Sequence, residues 1–207
     1  MGVEIRGRSR SLRVNYRTSH QIRRASDLLL PETLTEVDGD AESRAGVVSV
    51  FDGPAPDLQS FESDDEEAAH VAAWLRDRHG EGIAPSEIGL IVRSKASFPR
   101  AVAALEHAGL EGQPLSGRTA PDAGKVALAT MHDAKGLEFR AVAVLACDDG
   151  LLPLESRITS AEDPTALEEI YATERHLLYV ACTRAREHLL VTGVEPVSEF
   201  VEDLMGN

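Results

Sequence analysis

The sequence predicts an α/β fold, in which a mostly parallel β-sheet carries helices on both of its faces. Short apolar segments alternate along the chain with segments whose apolar residues recur at helical spacing. Continuous apolar runs such as Ile88–Val92 are typical of strands that are covered on both faces. Strands that alternate with amphipathic helices predict one sheet between two helical layers.

The first predicted elements are a strand at Leu12–Val14 and a helix that starts near Thr18. Thr18 is the expected N-cap, because Gln21 follows it at the spacing of a capping box. Pro31 then ends the helix. Residues 32–46 are polar and acidic and contain two glycines, so we predict a loop there. The next predicted strand is Val47–Phe51.

In the middle of the chain, helices are predicted from their caps and apolar spacing. Ser63 and Glu66 form a second capping box, and the helix they start should end at Gly80. A third helix begins at Ser97 and ends at Gly109. The expected buried stripes of these three helices are, in order, Ile22, Ala25 and Leu29; Ala68, Val71 and Leu75; and Val102, Leu105 and either Ala108 or Gly109.

The last third of the chain completes the alternating pattern. Residues 111–124 are predicted as a loop because they are rich in Gly, Pro and Ser, and residues 148–166 as a second, longer loop. The remaining predicted elements are strands at Val126–Ala129, Ala141–Leu145 and Leu189–Thr192, a long helix from Leu167 to Arg186, and a short helix at Val197–Leu204.

Composition narrows the class of protein. A chain of 207 residues with 43% apolar and 27% charged residues is typical of a globular domain with a sizeable core. No apolar run reaches the ~18–20 residues of a membrane span, the N-terminus lacks a signal-peptide core, and two cysteines do not make a disulfide framework. We therefore expect a cytoplasmic protein without a membrane partner.

Charge is distributed unevenly. The net charge of −14 argues against nucleic-acid binding by the surface as a whole. Residues 1–24, however, hold seven arginines and one acidic residue, Glu4. The arginines of this segment therefore remain candidates for a local basic strip that contacts DNA.

Arg184 is the first candidate site residue. On the predicted long helix it lies about 20° from Leu177, on the same stripe as Val180 and Ala181. A buried arginine needs a carboxylate, a carbonyl or a phosphate as partner, and its planar fork suits phosphate. The helical wheel alone leaves a structural ion pair and a phosphate contact both open, and ion pairs are the commoner case.

The segment after the predicted strand that ends at Thr130 is the second candidate. Open α/β sheets bind ligands at the carboxyl ends of their strands, and this polar segment contains His132, Gly136 and Glu138. Gly136 permits close backbone approach, Glu138 can accept hydrogen bonds from ribose, and Thr130 and His132 can donate to phosphate. Without context, polar residues in a loop are usually just solvated.

Two patterns that resemble nucleotide-binding motifs are rejected. Ala123-Gly124-Lys125 resembles the end of a P-loop, but Gly117 lies too far upstream and Val126 replaces the Ser or Thr that the motif requires. Asp148-Asp149 follows an apolar strand as Mg²⁺-binding acids do, but there is no P-loop for them to serve. The seven histidines show no metal-ligand spacing, so no metal site is predicted.

Three segments together resemble known motifs. Asn15-Tyr16-Arg17-Thr18 resembles motif IV, residues 126–139 resemble motif V, and Tyr179-Val180-Ala181-Cys182-Thr183-Arg184-Ala185 resembles motif VI of UvrD/Rep-type superfamily 1 DNA helicases. The similarity is to their second, C-terminal RecA-like domain and covers roughly residues 10–193. It implies that residues 12–207 form this domain after a lead-in segment, 1–11. Only about 15 residues separate Gly109 from Val126, too few for the subdomain of ~50 residues that this family often inserts there.

The resemblance also implies roles for individual residues. Arg17 would contact the γ-phosphate of ATP, and Arg184 would act as the arginine finger. Glu138 would hold the ribose, with Gly136 shaping its loop. The implied contacts to single-stranded DNA are Thr130, His132, Arg93, Ser94 and Lys95. Cys182 would be a packed small residue.

The missing P-loop limits what this chain would do alone. The resemblance implies that ATP and Mg²⁺ act in the intact protein, with Mg²⁺ held by an N-terminal RecA-like domain that carries the P-loop. That domain and single-stranded DNA would be the partners, and this chain alone would be inactive. The alternative is a non-catalytic DNA- or protein-binding module that keeps the helicase fold.

Overall fold

The computed structural model describes residues 14–30, 33–35, 41–43, 48–115 and 120–205. Within this part of the chain, the strands are β1 (Val14–Asn15), β2 (Thr33–Thr35), β3 (Ala41–Ser43), β4 (Val48–Ser49), β5 (Asp57–Phe61), β6 (Ile88–Val92), β7 (Glu111–Pro114), β8 (Lys125–Thr130), β9 (Phe139–Leu145) and β10 (Ala185–Val194). The helices are α1 (His20–Asp27), α2 (Asp64–Gly80), α3 (Phe98–Ala108), α4 (Glu155–Ile158), α5 (Pro164–Cys182) and α6 (Glu199–Met205). Single 3₁₀ turns lie at Pro85–Glu87 and Lys95–Ser97.

A six-stranded parallel sheet forms the centre of the described structure. Its strand order is β5-β10-β9-β6-β8-β7, and every neighbouring pair is parallel. β1 pairs with β4, and β2 pairs antiparallel with β3, outside this sheet. The predicted α/β class with a parallel sheet is confirmed.

Helices cover both faces of the sheet, as the sequence predicts. Along β9 the side chains alternate, because successive residues of a strand point to opposite faces. Val142 and Val144 pack with residues of α1, α5 and α6, such as Ile22, Leu178 and Phe200. The opposite face of β9 packs with α2 and α3 through Ala141, Ala143, Leu145, Leu75 and Leu105.

The helix caps are partly as predicted. Ser63 caps α2 by accepting from the Glu66 N–H, and Gly109 ends α3 with a left-handed φ of 70°. Thr18 is not the N-cap of α1. The adjacent Ser19 takes that position and accepts from the Ile22 N–H at 3.4 Å.

The predicted loops contain strands that the sequence pattern does not reveal. β7 lies within residues 111–124 and β2 and β3 within residues 32–46, while β5 lies between predicted elements. β5 and β7 are the two edges of the described sheet and carry exposed polar residues. Half-solvated edges lack the continuous apolar runs on which the strand predictions depended. Of the predicted strand Leu12–Val14, only Val14 lies within the described residues.

Two helix predictions need correction. On α3 the buried residues are Ala101, Ala104 and Leu105, whereas Val102 is exposed. The long helix α5 begins at Pro164, capped by Asp163, and ends at Cys182 with Thr183 as its C-cap. Arg184 therefore lies beyond the helix, immediately before β10, and its predicted place on the helical stripe is wrong.

Candidate functional site

Glu138 and Arg184 lie side by side where the strands of the sheet begin. This end of the sheet, formed by the amino ends of the strands, is called the amino edge. Each directly precedes a strand, Glu138 before β9 and Arg184 before β10. The two strands are neighbours, with Phe139 paired to Ala185, and the Phe139 N–H donates to the Arg184 carbonyl at 3.0 Å. Both residues are therefore positioned by the amino ends of adjacent parallel strands.

Arg17 reaches the same place from the far end of the sequence. The Ser19 N–H donates to the Arg186 carbonyl at 2.9 Å, and the Thr18 hydroxyl donates to the Thr183 carbonyl at 3.4 Å. These bonds hold the segment before α1 against the start of β10. The Arg17 Nε then lies 2.9 Å from Oε1 of Glu138, in an ion pair whose side chains are 74% and 56% exposed.

The Arg184 guanidinium is held by neutral groups. Its Nε donates to the Val180 carbonyl at 2.9 Å, one Nη to the Leu137 carbonyl at 3.3 Å and the other to the Thr183 hydroxyl at 3.3 Å. Burial lowers the pKa of Arg184; Glu138 acts to raise that pKa and Arg17 to lower it further. Of the expected partners, the carbonyl is the one observed, and no salt bridge to Arg184 forms within the described residues.

Residues 131–138 connect the amino edge to the carboxyl edge, the opposite end of the sheet, which is formed by the carboxyl ends of the strands. The segment leaves β8 at its carboxyl end and enters β9 at its amino end. Ala134 and Leu137 are buried in the core and anchor it, while Gly136 turns the backbone with a φ of 86° that a side chain would strain. The expectation of one ligand site at a carboxyl end is corrected, because Glu138 lies at the opposite edge from Thr130.

Four of the residues predicted to contact DNA lie together at the carboxyl edge. Val92 of β6 pairs with Thr130 of β8, and the Met131 N–H donates to the Val92 carbonyl at 2.8 Å. The segments that follow these strands are thus adjacent, and they carry Ser94, Lys95 and His132. Lys95 and His132 are exposed, and Ser94 is half-buried.

Thr130 itself is only 7% exposed. Its hydroxyl donates to the Asp133 carboxylate at 2.8 Å and accepts from the Asp133 N–H at 3.2 Å. The role of Asp133 was missed, although its position three residues after a threonine is capping-box spacing and could have indicated it. The reciprocal bonds fix the start of the segment that carries His132.

Arg93 does not join this exposed group. Its side chain is 4% exposed, and its Nε and Nη2 each donate to the Glu174 carboxylate at 2.6 Å. Glu174 is completely buried on α5. The structure does not support the predicted DNA contact of Arg93, because its guanidinium is already paired inside the protein.

The remaining candidates have structural partners. Asp148 accepts from the Val194 N–H and pairs with Arg100. Cys182 is buried, which raises the pKa of its thiol to about 12, so it packs as expected. Among the described residues, no cluster of three or more His, Cys, Asp or Glu side chains could hold a metal ion, and no helix has the length and apolar character to cross a membrane.

Comparison with known proteins finds similarity to DNA helicases. Residues 101–195 match the UvrD-like helicase C-terminal domain. The putative ATP-dependent DNA helicase YjcD of Bacillus subtilis is 48% identical over 69 residues, which are 32% of this chain and 9% of that protein. The ATP-dependent DNA helicase UvrD1 of Mycobacterium tuberculosis H37Rv is 46% identical over 70 residues, 34% of this chain and 8% of that protein. The aligned stretches thus span less than a tenth of these relatives.

A solved structure extends the similarity of fold to nearly the whole chain. The C-terminal domain of a possible DNA helicase from Lactobacillus plantarum WCFS1 superposes with a TM-score of 0.59 at 21% identity, covering 92% of this chain and 94% of that one. This likeness confirms the RecA-like α/β fold. The family match and the curated relatives confirm the resemblance found in the sequence.

Proposed function

We propose that this chain is the C-terminal motor domain of an ATP-dependent DNA helicase or translocase. It would complete an ATP site with Arg17 and Arg184 and grip single-stranded DNA. The observation that carries the proposal is that Arg17, Glu138 and Arg184 lie together at the amino edge, although they are far apart in sequence.

Arg184 is suited to act on a transferring phosphoryl group. Its three hydrogen bonds go to uncharged oxygens, so its positive charge is not neutralised by direct pairing. Three of the five guanidinium N–H groups are used, which leaves two for phosphate oxygens. A guanidinium already held in place can stabilise transition-state charge without reorganising.

Arg17 and Glu138 would complete the nucleotide contacts. Their ion pair is largely exposed, and such pairs contribute little to stability. A γ-phosphate can therefore displace the Glu138 carboxylate from Arg17. Glu138 is then able to accept hydrogen bonds from ribose hydroxyls. Gly136 would let the backbone next to Glu138 approach the nucleotide.

The other half of the ATP site would come from an N-terminal RecA-like domain. That domain would carry the P-loop and hold Mg²⁺, the metal of the intact protein. At the carboxyl edge, His132, Ser94 and Lys95 would contact the phosphates of single-stranded DNA, and Thr130, whose hydroxyl donates to Asp133, would position the segment that carries His132. Because ATP and DNA are the proposed substrates, we also propose a cytoplasmic location.

Hydrolysis of ATP by the intact protein tests the proposal. We expect single-stranded DNA to stimulate ATP hydrolysis by the intact protein, whereas this chain alone should hydrolyse none. Hydrolysis by a pure sample of this chain would reveal a phosphate site outside the proposed one. An intact protein that binds DNA but never hydrolyses ATP would favour the non-catalytic module.

A His132→Ala substitution tests the DNA edge. Loss of one exposed hydrogen-bond donor costs about 1 kcal/mol, so the Kd for single-stranded DNA should rise about fivefold in the intact protein. Fluorescence anisotropy with a labelled oligonucleotide measures this change. The control is His107→Ala, which removes another exposed histidine, on α3. Equal affinities of the two variants would contradict a DNA contact of His132.

A further inference from the structure

The Arg93–Glu174 ion pair joins the end of a central strand to the longest described helix. Nε and Nη2 of Arg93 each donate to the Glu174 carboxylate at 2.6 Å, and neither side chain is more than 4% exposed. Arg157, in α4, places a second guanidinium 3.6 Å from the same carboxylate. Glu174 therefore links three segments: α5, α4 and the end of β6.

One end of this contact lies at the proposed DNA edge. Arg93 follows Val92 directly, and the carbonyl of Val92 binds the Met131 N–H. The next residues along the chain are Ser94 and Lys95. A movement of Arg93 would therefore displace both segments that carry the proposed DNA contacts.

The other end leads to Arg184. Cys182 lies eight positions after Glu174 on the helix, a rise of about 12 Å. The Arg184 Nε is bonded to the Val180 carbonyl in the last turn of this helix. The guanidinium is thus attached to the end of α5 and will follow the helix if it shifts along or turns about its axis.

The rest of the buried face of α5 makes apolar contacts. After Glu174, its fully buried side chains are Leu178, Ala181 and Cys182, two of which are small. Apolar contacts are not directional. A bidentate arginine–carboxylate pair has fixed geometry, and the best-supported use of buried polar groups is to set the register of packed elements.

We propose that Arg93 and Glu174 are positioning residues that couple DNA contact at the carboxyl edge to the placement of Arg184 at the amino edge. The inference rests on the proposed function, since it assigns a link between the two proposed sites. In this view, DNA acts on the residues that follow β6 and β8, and the ion pair transmits the effect to α5. The last turn of α5 then brings Arg184 into place.

The test is DNA-stimulated ATP hydrolysis by the intact protein with Arg93→Met and Glu174→Leu combined. The double variant removes both charges together and keeps apolar volume at the site, so no unpaired charge is buried. We expect turnover without DNA and the Kd for single-stranded DNA to change less than about twofold, and the stimulation by DNA to fall about tenfold. A merely structural pair would leave the stimulation ratio unchanged in a folded variant.

Two further variants keep the test decisive. Glu174→Gln retains the shape and should also reduce stimulation, so full stimulation in either folded variant would overturn the inference. Arg175→Gln is the control, because Arg175 is the next residue on α5 and pairs with Glu199 and Asp203 of α6 instead. It should not alter stimulation. Failure of the proposed function is distinguishable, since the intact protein without substitutions would then hydrolyse no ATP, or Arg184→Ala would leave its turnover unchanged both with and without DNA.

Discussion

Arg184→Ala in the intact protein is expected to lower ATP turnover about 10³-fold or more, the effect of removing an arginine finger. Nucleotide binding should change little, because the P-loop domain would supply most of the phosphate contacts. Steady-state kinetics would therefore show a lower kcat with KM nearly unchanged. Arg184→Lys should not restore turnover, since a lysine lacks the planar fork that the Val180 and Leu137 carbonyls hold.

Arg186→Ala provides the matched control. Arg186 lies two residues after Arg184, in β10, and its side chain is exposed, with the guanidinium over the Phe51 ring at 5.7 Å. Loss of an exposed arginine from the same strand end should leave kcat within about twofold. Full turnover in Arg184→Ala would exclude the finger role. Equal losses in both variants would point to damage at the strand end.

The apolar core of the fold could be predicted from the sequence. β6, β8 and β9 each contain a continuous apolar run, because each is covered on both faces, and their positions were predicted to within two residues at either end. The edge strands β5 and β7 could not be predicted in this way. Their pairing depends on the neighbouring strands β10 and β8 rather than on their own polar residues.

The candidate residues could be named from the sequence, but their arrangement could not be predicted. Glu138 and Thr130 lie only eight positions apart, so the sequence suggests a single site, yet residues 131–138 carry them to opposite edges of the sheet. The helical spacing of Arg184 was misleading because α5 ends at Cys182 and Thr183 caps it. Arg93 looked like a DNA contact because nothing local indicates that Glu174, 81 residues away, is buried beside it.

Arg93→Ala is expected to destabilise the protein by about 3–5 kcal/mol, the usual cost of leaving one partner of a buried ion pair alone. Of its ion-pair partners among the described residues, Glu174 would keep only Arg157, which lies at 3.6 Å and is itself 40% exposed. Since domains have total stabilities of roughly 5–15 kcal/mol, this loss is large. At about 2–4 °C per kcal/mol for a chain of this size, the melting temperature should fall by roughly 6–20 °C.

The comparison variant is Arg140→Ala, which also removes an arginine from a bidentate pair. Arg140 bonds Glu187 from a side chain that is 35% exposed, so its loss should cost no more than about 1 kcal/mol. Chemical denaturation of both variants measures the difference. Similar costs would mean that Arg157 moves in to neutralise Glu174, and the burial of Glu174 would then no longer require Arg93. A large cost that is recovered when Glu174→Leu is combined with Arg93→Met would show that the loss comes from the unpaired charge, because the double variant lacks the pair but buries no lone carboxylate.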